Sequence, residues 1–198
     1  MDEVAFDCKL NDVDFVLHLA SPLPHGKDKQ TYFPPAVKGA TALLKAAAKV
    51  PTIKKVVVAS SIAALIPMSG IPTGGINSAN EINAGSNTGL WVMVRKGDPS
   101  RNIVGVHVQD MAEAHINALD SKIVDGSKYL LAGPKPTGLE IACIVHRLYP
   151  DSGALISEDF QGVSFPVDVT KAETELGIQC WSFEEMIRDL MDQQLGFE

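Results

Sequence analysis

The sequence lacks several features that identify common classes of protein. Its three cysteines, Cys8, Cys143 and Cys180, are odd in number and far apart, which argues against a disulfide framework. It contains neither a Cys-x-x-Cys pair nor a His-Glu-x-x-His motif, and its five histidines are scattered, so it predicts no metal site. No apolar run approaches the ~20 residues that span a bilayer. The acidic start, MDEVAFDCKLND, has no apolar core of a signal peptide.

Basic and aromatic residues are also scarce. The 17 Lys and Arg against 24 Asp and Glu give a formal net charge of -7, and aromatic residues make up 6% of the chain. An acidic surface repels phosphate backbones, and few aromatic rings leave no stacking platform for bases. We therefore expect neither nucleic acid nor a membrane among the partners. Unpaired thiols and the absence of a leader favour a cytoplasmic location.

The first half of the chain has the pattern of a strand, a helix and a second strand. Residues 14–20 and 55–60 are continuous apolar stretches, which predict parallel strands covered by helices on both faces. Between them, apolar residues at helical spacing predict a helix over residues 36–50, with Pro34 and Pro35 in its first turn. This order predicts a βαβ unit with a right-handed crossover.

Further helices are indicated by capping boxes, in which a cap side chain and an acid three residues later bind each other's backbone N–H groups. The pairs are Asp110 with Glu113, Thr137 with Glu140, Thr170 with Glu173, and Ser182 with Glu185. Gly177 stands where a C-terminal helix glycine belongs. Residues 103–108 and 128–131 are interpreted as short strands, and the glycine-rich stretch 67–87 as a long loop.

Two histidines are candidates for acid–base chemistry. His107 precedes the first capping box, and His115 follows it at helical spacing. The position of His115 on an apolar helix face favours a packed, hydrogen-bonded histidine. Asp110 is interpreted as a helix cap rather than a catalytic acid.

Several segments follow one another in an order that one family shares. They are DVDFVLHLASP, PPAVKGATALLKAAAKV and IKKVVVASSIAAL in the first half, then GVHVQDMAEAHINAL, SKYLLAG, VTKAETELGI and SFEEMIRDLMDQQL. In this order they resemble the extended short-chain dehydrogenase/reductase family, which belongs to the NAD-dependent epimerase/dehydratase superfamily. The resemblance is to its branch of dihydroflavonol reductase-like and fungal NADPH-dependent carbonyl reductases.

The resemblance implies an α/β fold with a partial Rossmann-type parallel sheet and a small C-terminal α/β lobe. The nucleotide-binding part would cover residues 1–66. Residues 67–198 would form mostly the substrate lobe, with some returning Rossmann elements.

The resemblance also implies a reaction and a set of site residues. Such reductases transfer hydride from NADP(H), with NAD as the alternative, to a small aldehyde or ketone. A Tyr supplies the proton, a Lys four residues later lowers its pKa, and a Ser hydrogen-bonds the carbonyl oxygen. The implied catalytic residue is Ser61. The implied cofactor-binding residues are Ala20, Ser21, Pro22, Ala59, Ser60 and Pro72.

Two features that this chemistry needs are absent from the sequence. No Gly-x-x-Gly-x-x-Gly follows a strand, and none of Tyr32, Tyr129 and Tyr149 has a lysine four residues later. We therefore expect poor cofactor binding and no turnover from this chain alone. The alternative is a non-catalytic remnant or nucleotide-sensing pseudoenzyme that pairs with a second copy, or with an intact paralogue, through an open sheet edge.

Overall fold

The computed structural model describes residues 3–6, 8–20, 29–61, 91, 94–97, 105–157 and 167–197. The glycine-rich stretch 67–87 lies outside these residues, and so do Ser21, Pro22 and Pro72. The predicted domain boundary at residue 66 lies outside them as well and stays a prediction. The chain clusters into two compact units, one formed by Met1–Ser60 with Ala118–Val124 and the other by Ser61–Asn117 with Asp125–Glu198.

The described residues combine a pair of parallel strands with several helices, which confirms the predicted α/β class. The elements are a 3-10 helix at Glu3–Phe6, β1 at Phe15–His18, α1 at Lys29–Ala47, β2 at Lys55–Val58, α2 at Val108–Asn117, α3 at Gly138–Leu148, α4 at Thr170–Leu176 and α5 at Phe183–Leu195. None of the described helices combines the length and the apolar composition needed to cross a lipid bilayer.

The predicted βαβ unit is present in the first unit. Strands β1 and β2 pair in parallel, with Phe15 opposite Lys55 and His18 opposite Val58, and α1 connects them. The sheet packs on α1 because side chains of even-numbered strand residues, such as Val16, meet the small alanines near the end of the helix. This contact forms the core of the first unit.

The prediction that both faces of this sheet are covered is wrong for β1. On the face away from α1, Phe15 is 42% and Leu17 is 41% exposed, whereas Val57, the partner of Leu17 on β2, is only 9% exposed. On β2 the ammonium of Lys55 donates to the carbonyl oxygens of Asp120 at 2.7 Å and Ile123 at 2.8 Å. These bonds bring residues 118–124 against β2, and within the part of the chain that the structure describes no segment covers β1 in the same way.

Helix α1 begins earlier than predicted. It starts at Lys29, so Pro34 and Pro35 lie inside the helix rather than in its first turn. A proline inside a helix cannot donate the backbone hydrogen bond to the residue four positions before it. The burial of Leu43 and Ala47 further along anchors the second half of α1.

The core of the second unit lies between α3 and α5. Buried residues of both helices pack together with Val94 and Ile156, namely Ile141, Ala142 and Val145 from α3 and Ile187 and Met191 from α5. Both helices begin with a complete capping box, Thr137 with Glu140 and Ser182 with Glu185, as predicted. These two boxes therefore fix the starts of the helices that build this core.

Of two further predictions on the second unit, one on the start of α4 is wrong and one on its end is confirmed. Helix α4 begins at Thr170, but its N-cap is Val169 and the Thr170 side chain caps nothing; instead Asp168 accepts the Thr170 N–H at 3.0 Å. Gly177 ends α4 with φ 67°, the predicted left-handed glycine.

The two predicted short strands are wrong within the described residues. Val108 begins α2, and residues 128–131 are not assigned to a strand although Tyr129 and Leu130 are buried. Both stretches are apolar because their residues are buried. A strand also needs a neighbouring strand with which to form a hydrogen-bonded ladder.

Candidate functional site

The carboxyl ends of β1 and β2 bring part of the predicted cofactor site together. The Lys54 N–H donates to the Asp14 carbonyl at 2.7 Å at one end of the strand pair, and the Ala59 N–H donates to the His18 carbonyl at 3.0 Å at the other. The register therefore continues past β2, and Ala20 and Ser60 leave the sheet at equivalent positions on one edge. This edge is where ligands bind in open α/β sheets.

The predicted site residues differ in exposure and in the unit to which they belong. Ala20, Ser60 and Ser61 are exposed and Ala59 is half-buried. Ala20, Ala59 and Ser60 belong to the first unit, whereas Ser61 begins the second. Of the seven predicted site residues, the structure thus groups these three at the sheet edge.

Small side chains suit this edge to a ligand that approaches the backbone. Ala20 and Ala59 carry only a methyl group, and the Ser60 hydroxyl can both donate and accept a hydrogen bond. A ribose hydroxyl or a diphosphate oxygen is the kind of group that binds to such a surface of backbone N–H groups and hydroxyls. The residues present at the edge therefore fit a nicotinamide cofactor, although the glycine-rich loop is absent from the sequence.

The tyrosines of the second unit are not suited to supply a proton. The Tyr129 hydroxyl donates to Glu175 at 2.7 Å, and burial together with this carboxylate raises the Tyr129 pKa. The Tyr149 hydroxyl donates to Asp192 at 2.5 Å, and burial followed by the Asp192 carboxylate raises its pKa to about 12. A catalytic tyrosine needs a lowered pKa, so both side chains have the wrong environment.

His107, a candidate acid–base group, has a structural role. Its carbonyl accepts the Met111 N–H at 3.1 Å and its Nδ1 accepts the Gln109 N–H at 3.3 Å, which makes it the N-cap of α2. Because Nδ1 accepts, Nε2 carries the proton and donates to Asp189 Oδ2 at 3.0 Å. The imidazole also stacks on Trp181, with ring centroids 4.1 Å apart. Both ring nitrogens of His107 are therefore engaged in hydrogen bonds.

The interpretation of Asp110 as a helix cap is wrong. Helix α2 starts at Val108, so Asp110 lies inside the first turn, where its buried carboxylate accepts the backbone N–H of Trp181 at 3.1 Å. Burial raises the pKa of this carboxyl group, and the bond from Trp181 offsets part of that rise. The sequence signal for the true cap of α2 was His107, which directly precedes the apolar helical pattern.

His115 is the packed histidine that its position predicted. It is buried, and its Nδ1 donates to the Met111 carbonyl at 2.7 Å. Its buried Nε2 has no hydrogen-bond partner in the part of the chain that the structure describes. Among those same residues, no three His, Cys, Asp or Glu side chains are grouped as a metal site would require.

A cleft of about 790 Å³ borders Gly133, Val167 and Ile178 in the second unit, with Cys180 in its wall. Burial, and then the negative charges of Asp110 and Glu173, raise the pKa of the Cys180 thiol to about 11. A thiol with this pKa stays protonated at neutral pH and is a poor nucleophile.

Comparisons with known proteins give the chain its family. No protein-family model matches it. The chain is 36% identical to the ketoreductase sphI of Aspergillus fumigatus over 268 aligned positions, which cover 98% of this chain and 80% of the relative. It is 43% identical over 74 residues to the NAD-dependent epimerase/dehydratase ALT6 of Alternaria alternata, covering 36% of this chain and 21% of that one.

A solved structure shares the fold. Gre2 of Candida albicans in complex with NADPH superposes with a TM-score of 0.77 at 19% identity, over 98% of this chain and 82% of that one. The alignment with the ketoreductase is longer than the 198 residues present here, so stretches inside the aligned region of that relative have no counterpart in this chain. The chain belongs to the extended short-chain dehydrogenase/reductase family, in the branch of dihydroflavonol reductase-like and fungal carbonyl reductases.

Proposed function

We propose that the inherited activity of this chain is the reduction of an aldehyde or ketone with NADPH, and that the chain alone does not complete the reaction. The observation that carries the proposal is the sheet edge at which Ala20, Ala59 and Ser60 lie together. The ketoreductase name of one relative and the NADPH complex of the Gre2 neighbour support it. We place the reaction in the cytoplasm, where free thiols such as Cys8 stay reduced.

The cofactor, when bound, supplies a hydride to the substrate carbonyl carbon. Ala59 and Ser60 would lie beside the nicotinamide ribose, and the backbone of Ala20, Ser21 and Pro22 would line the adenosine and diphosphate channel. Pro72 would lie near the nicotinamide amide.

Ser61 would donate a hydrogen bond to the carbonyl oxygen as negative charge develops there. One such donor lowers a barrier by roughly 2.7–4 kcal/mol. That is at most about half of the ~8 kcal/mol or more by which enzymes lower the barriers they act on.

The step that this chain lacks is protonation of the alkoxide. Tyr129 and Tyr149 donate to carboxylates, and their raised pKa values oppose proton transfer linked to a tyrosinate. Because no tyrosine of the sequence has a lysine four residues later, Ser61 would stabilise the charge on the oxygen without the family's proton donor. We therefore expect cofactor binding without turnover.

The test measures binding and turnover on the same purified chain. NADPH is titrated and followed by its fluorescence, and NADPH oxidation is followed at its absorbance band with a panel of aldehydes and ketones. Weak binding and no oxidation are expected.

A tryptophan in place of a small residue blocks the proposed edge. Ala20→Trp should abolish NADPH binding, whereas Ala48→Trp, a matched change at an exposed position on the last turn after α1, should leave it unchanged. Equal binding by both variants would contradict the proposed site. Turnover that disappears in Ser61→Ala would overturn the expectation of inactivity while supporting the role of Ser61.

A further inference from the structure

The outer edge of β1 offers free backbone hydrogen-bonding groups in a regular row. The carbonyls of Asp14 and His18 accept bonds from the side of β2, so the even-numbered residues of β1 point their backbone groups inward. In a parallel pair, alternate residues bond to opposite sides. The N–H and C=O groups of Phe15, Leu17 and Leu19 therefore point to the outer edge, where within the described residues β1 pairs with no other strand.

The side chains of the same three residues form an exposed apolar row on one face of the sheet. Phe15 is 42%, Leu17 is 41% and Leu19 is 58% exposed, and their spacing of two places them on the face away from α1. The exposed apolar row does not extend to β2, because Val57 on β2 is buried. The apolar surface is thus confined to the strand that has the free edge.

This edge has none of the devices that usually prevent pairing. Natural edge strands carry lysine, proline, a bulge or an inward-pointing charge. Strand β1 reads Phe-Val-Leu-His, and the nearest charges, Asp14 and Lys54, form an ion pair at 2.8 Å with the lysine also over the Phe15 ring. No like charges would therefore meet if two copies of β1 came together.

We propose that this edge binds a second copy of the chain, with β1 antiparallel to its own counterpart about a two-fold axis through Leu17. Such an axis is perpendicular to the sheet, so the apolar rows of both copies lie on the same face and both α1 helices on the other. The proposal is independent of cofactor binding.

The two-fold register satisfies the backbone and the side chains together. Leu17 faces Leu17 of the other copy, and Phe15 faces Leu19. All three residues have outward backbone groups, so each facing pair exchanges two hydrogen bonds. Aromatic and aliphatic side chains directly opposite each other stabilise antiparallel strands. A second copy fits this edge because the register places the exposed Phe15, Leu17 and Leu19 of both copies opposite one another, while Asp14 stays neutralised by Lys54.

The first experiment measures the mass of the chain in solution as a function of concentration, by sedimentation equilibrium. A monomer–dimer equilibrium is expected. Leu17→Lys places two ammonium groups opposite each other at the axis and should raise the dimer dissociation constant about tenfold or more. Val37→Lys, on α1 and 48% exposed, is the matched control and should leave the constant unchanged.

The second experiment maps the axis. In a background with Cys8→Ser and Cys143→Ser, Leu17→Cys should form a disulfide-linked dimer under mild oxidation. Facing residues of a hydrogen-bonded antiparallel pair have Cα atoms about 5.5 Å apart, within the range that a disulfide spans. Val37→Cys in the same background should not cross-link.

Circular dichroism shows that each variant is folded before it is compared. A folded chain that stays monomeric at every concentration would overturn the proposal. So would association that Val37→Lys weakens and Leu17→Lys does not, or a monomer that binds only a purified full-length reductase of the same family. Loss of NADPH binding with the dimer intact would refute the proposed function and leave this proposal standing.

Discussion

Replacing His107 by alanine tests the buried connection between α2 and α5. The change removes the side-chain acceptor for Gln109 N–H, which as an N-cap is worth about 1 kcal/mol. It removes a ring stack on Trp181 worth about 0.5–1.5 kcal/mol. It also removes a donor to Asp189, whose 44% exposed side chain reduces that bond to about 1 kcal/mol. We expect the free energy of unfolding to fall by about 3 kcal/mol.

Two conservative variants separate these losses. The amide oxygen of His107→Asn takes the place of Nδ1, so it keeps the cap and loses the bond to Asp189. The longer side chain of His107→Gln places an amide near Nε2, so it keeps that bond and loses the cap. Each should cost about 2 kcal/mol. The assay is urea unfolding followed by tryptophan fluorescence, which senses the stack on Trp181, and by circular dichroism.

The losses of unfolding free energy in the three variants can be compared with one another. A loss below about 0.5 kcal/mol for His107→Ala would show that the stack and both hydrogen bonds contribute no net stability. Equal losses for all three variants would show that the ring stack alone matters. Asp189→Asn keeps an acceptor for Nε2–H and should cost less than His107→Ala, which provides the internal control.

Three further outcomes follow from capping, burial and charge. Thr137→Ala and Ser182→Ala each remove the side-chain half of a complete capping box, and each should lower the unfolding free energy by about 1 kcal/mol in a thermal melt. Burial raises the Asp110 pKa above 3.8, so the folded chain holds this proton more tightly than the unfolded chain does. The resulting stability is present at acid pH and is lost as the pH rises from about 3.8 through the raised pKa, and Asp110→Asn should remove this part of the pH dependence of the urea midpoint. With its pKa near 11, Cys180 should react with iodoacetamide at pH 8 far more slowly than the exposed Cys143, as peptide mass mapping would show; equal rates would contradict the burial argument.

Local patterns were sufficient to predict most of the elements. The two apolar runs and the helix between them predicted the parallel strand pair, and the Thr137 and Ser182 boxes predicted the starts of α3 and α5. Each of these signals lies within a few residues of the structure that it determines. The sheet edge with Ala20 and Ser60 follows from the strand pair, so that part of the candidate site was predictable too.

Long-range contacts explain what could not be predicted. Asp110 accepts a hydrogen bond from Trp181, 71 residues further along the chain. No local pattern around Asp110 predicts that partner. The same holds for the exposed face of β1, because residues 118–124 lie against Lys55 and leave Leu17 open. A periodic apolar pattern predicts only that one face of a strand is apolar. It does not predict which distant segment of the chain covers that face.

The bonds from Lys55 to Asp120 and Ile123 have a consequence for synthesis. They join residues 65 and 68 positions apart, so the first unit is completed only after its last segment has been translated. At the ~5–20 residues per second of translation, this delay is roughly 3–14 s. During that interval a nascent chain has its strand pair without its final segment. The strand pair therefore stays without the partner carbonyls of Lys55 for longer than the synthesis of its own residues requires.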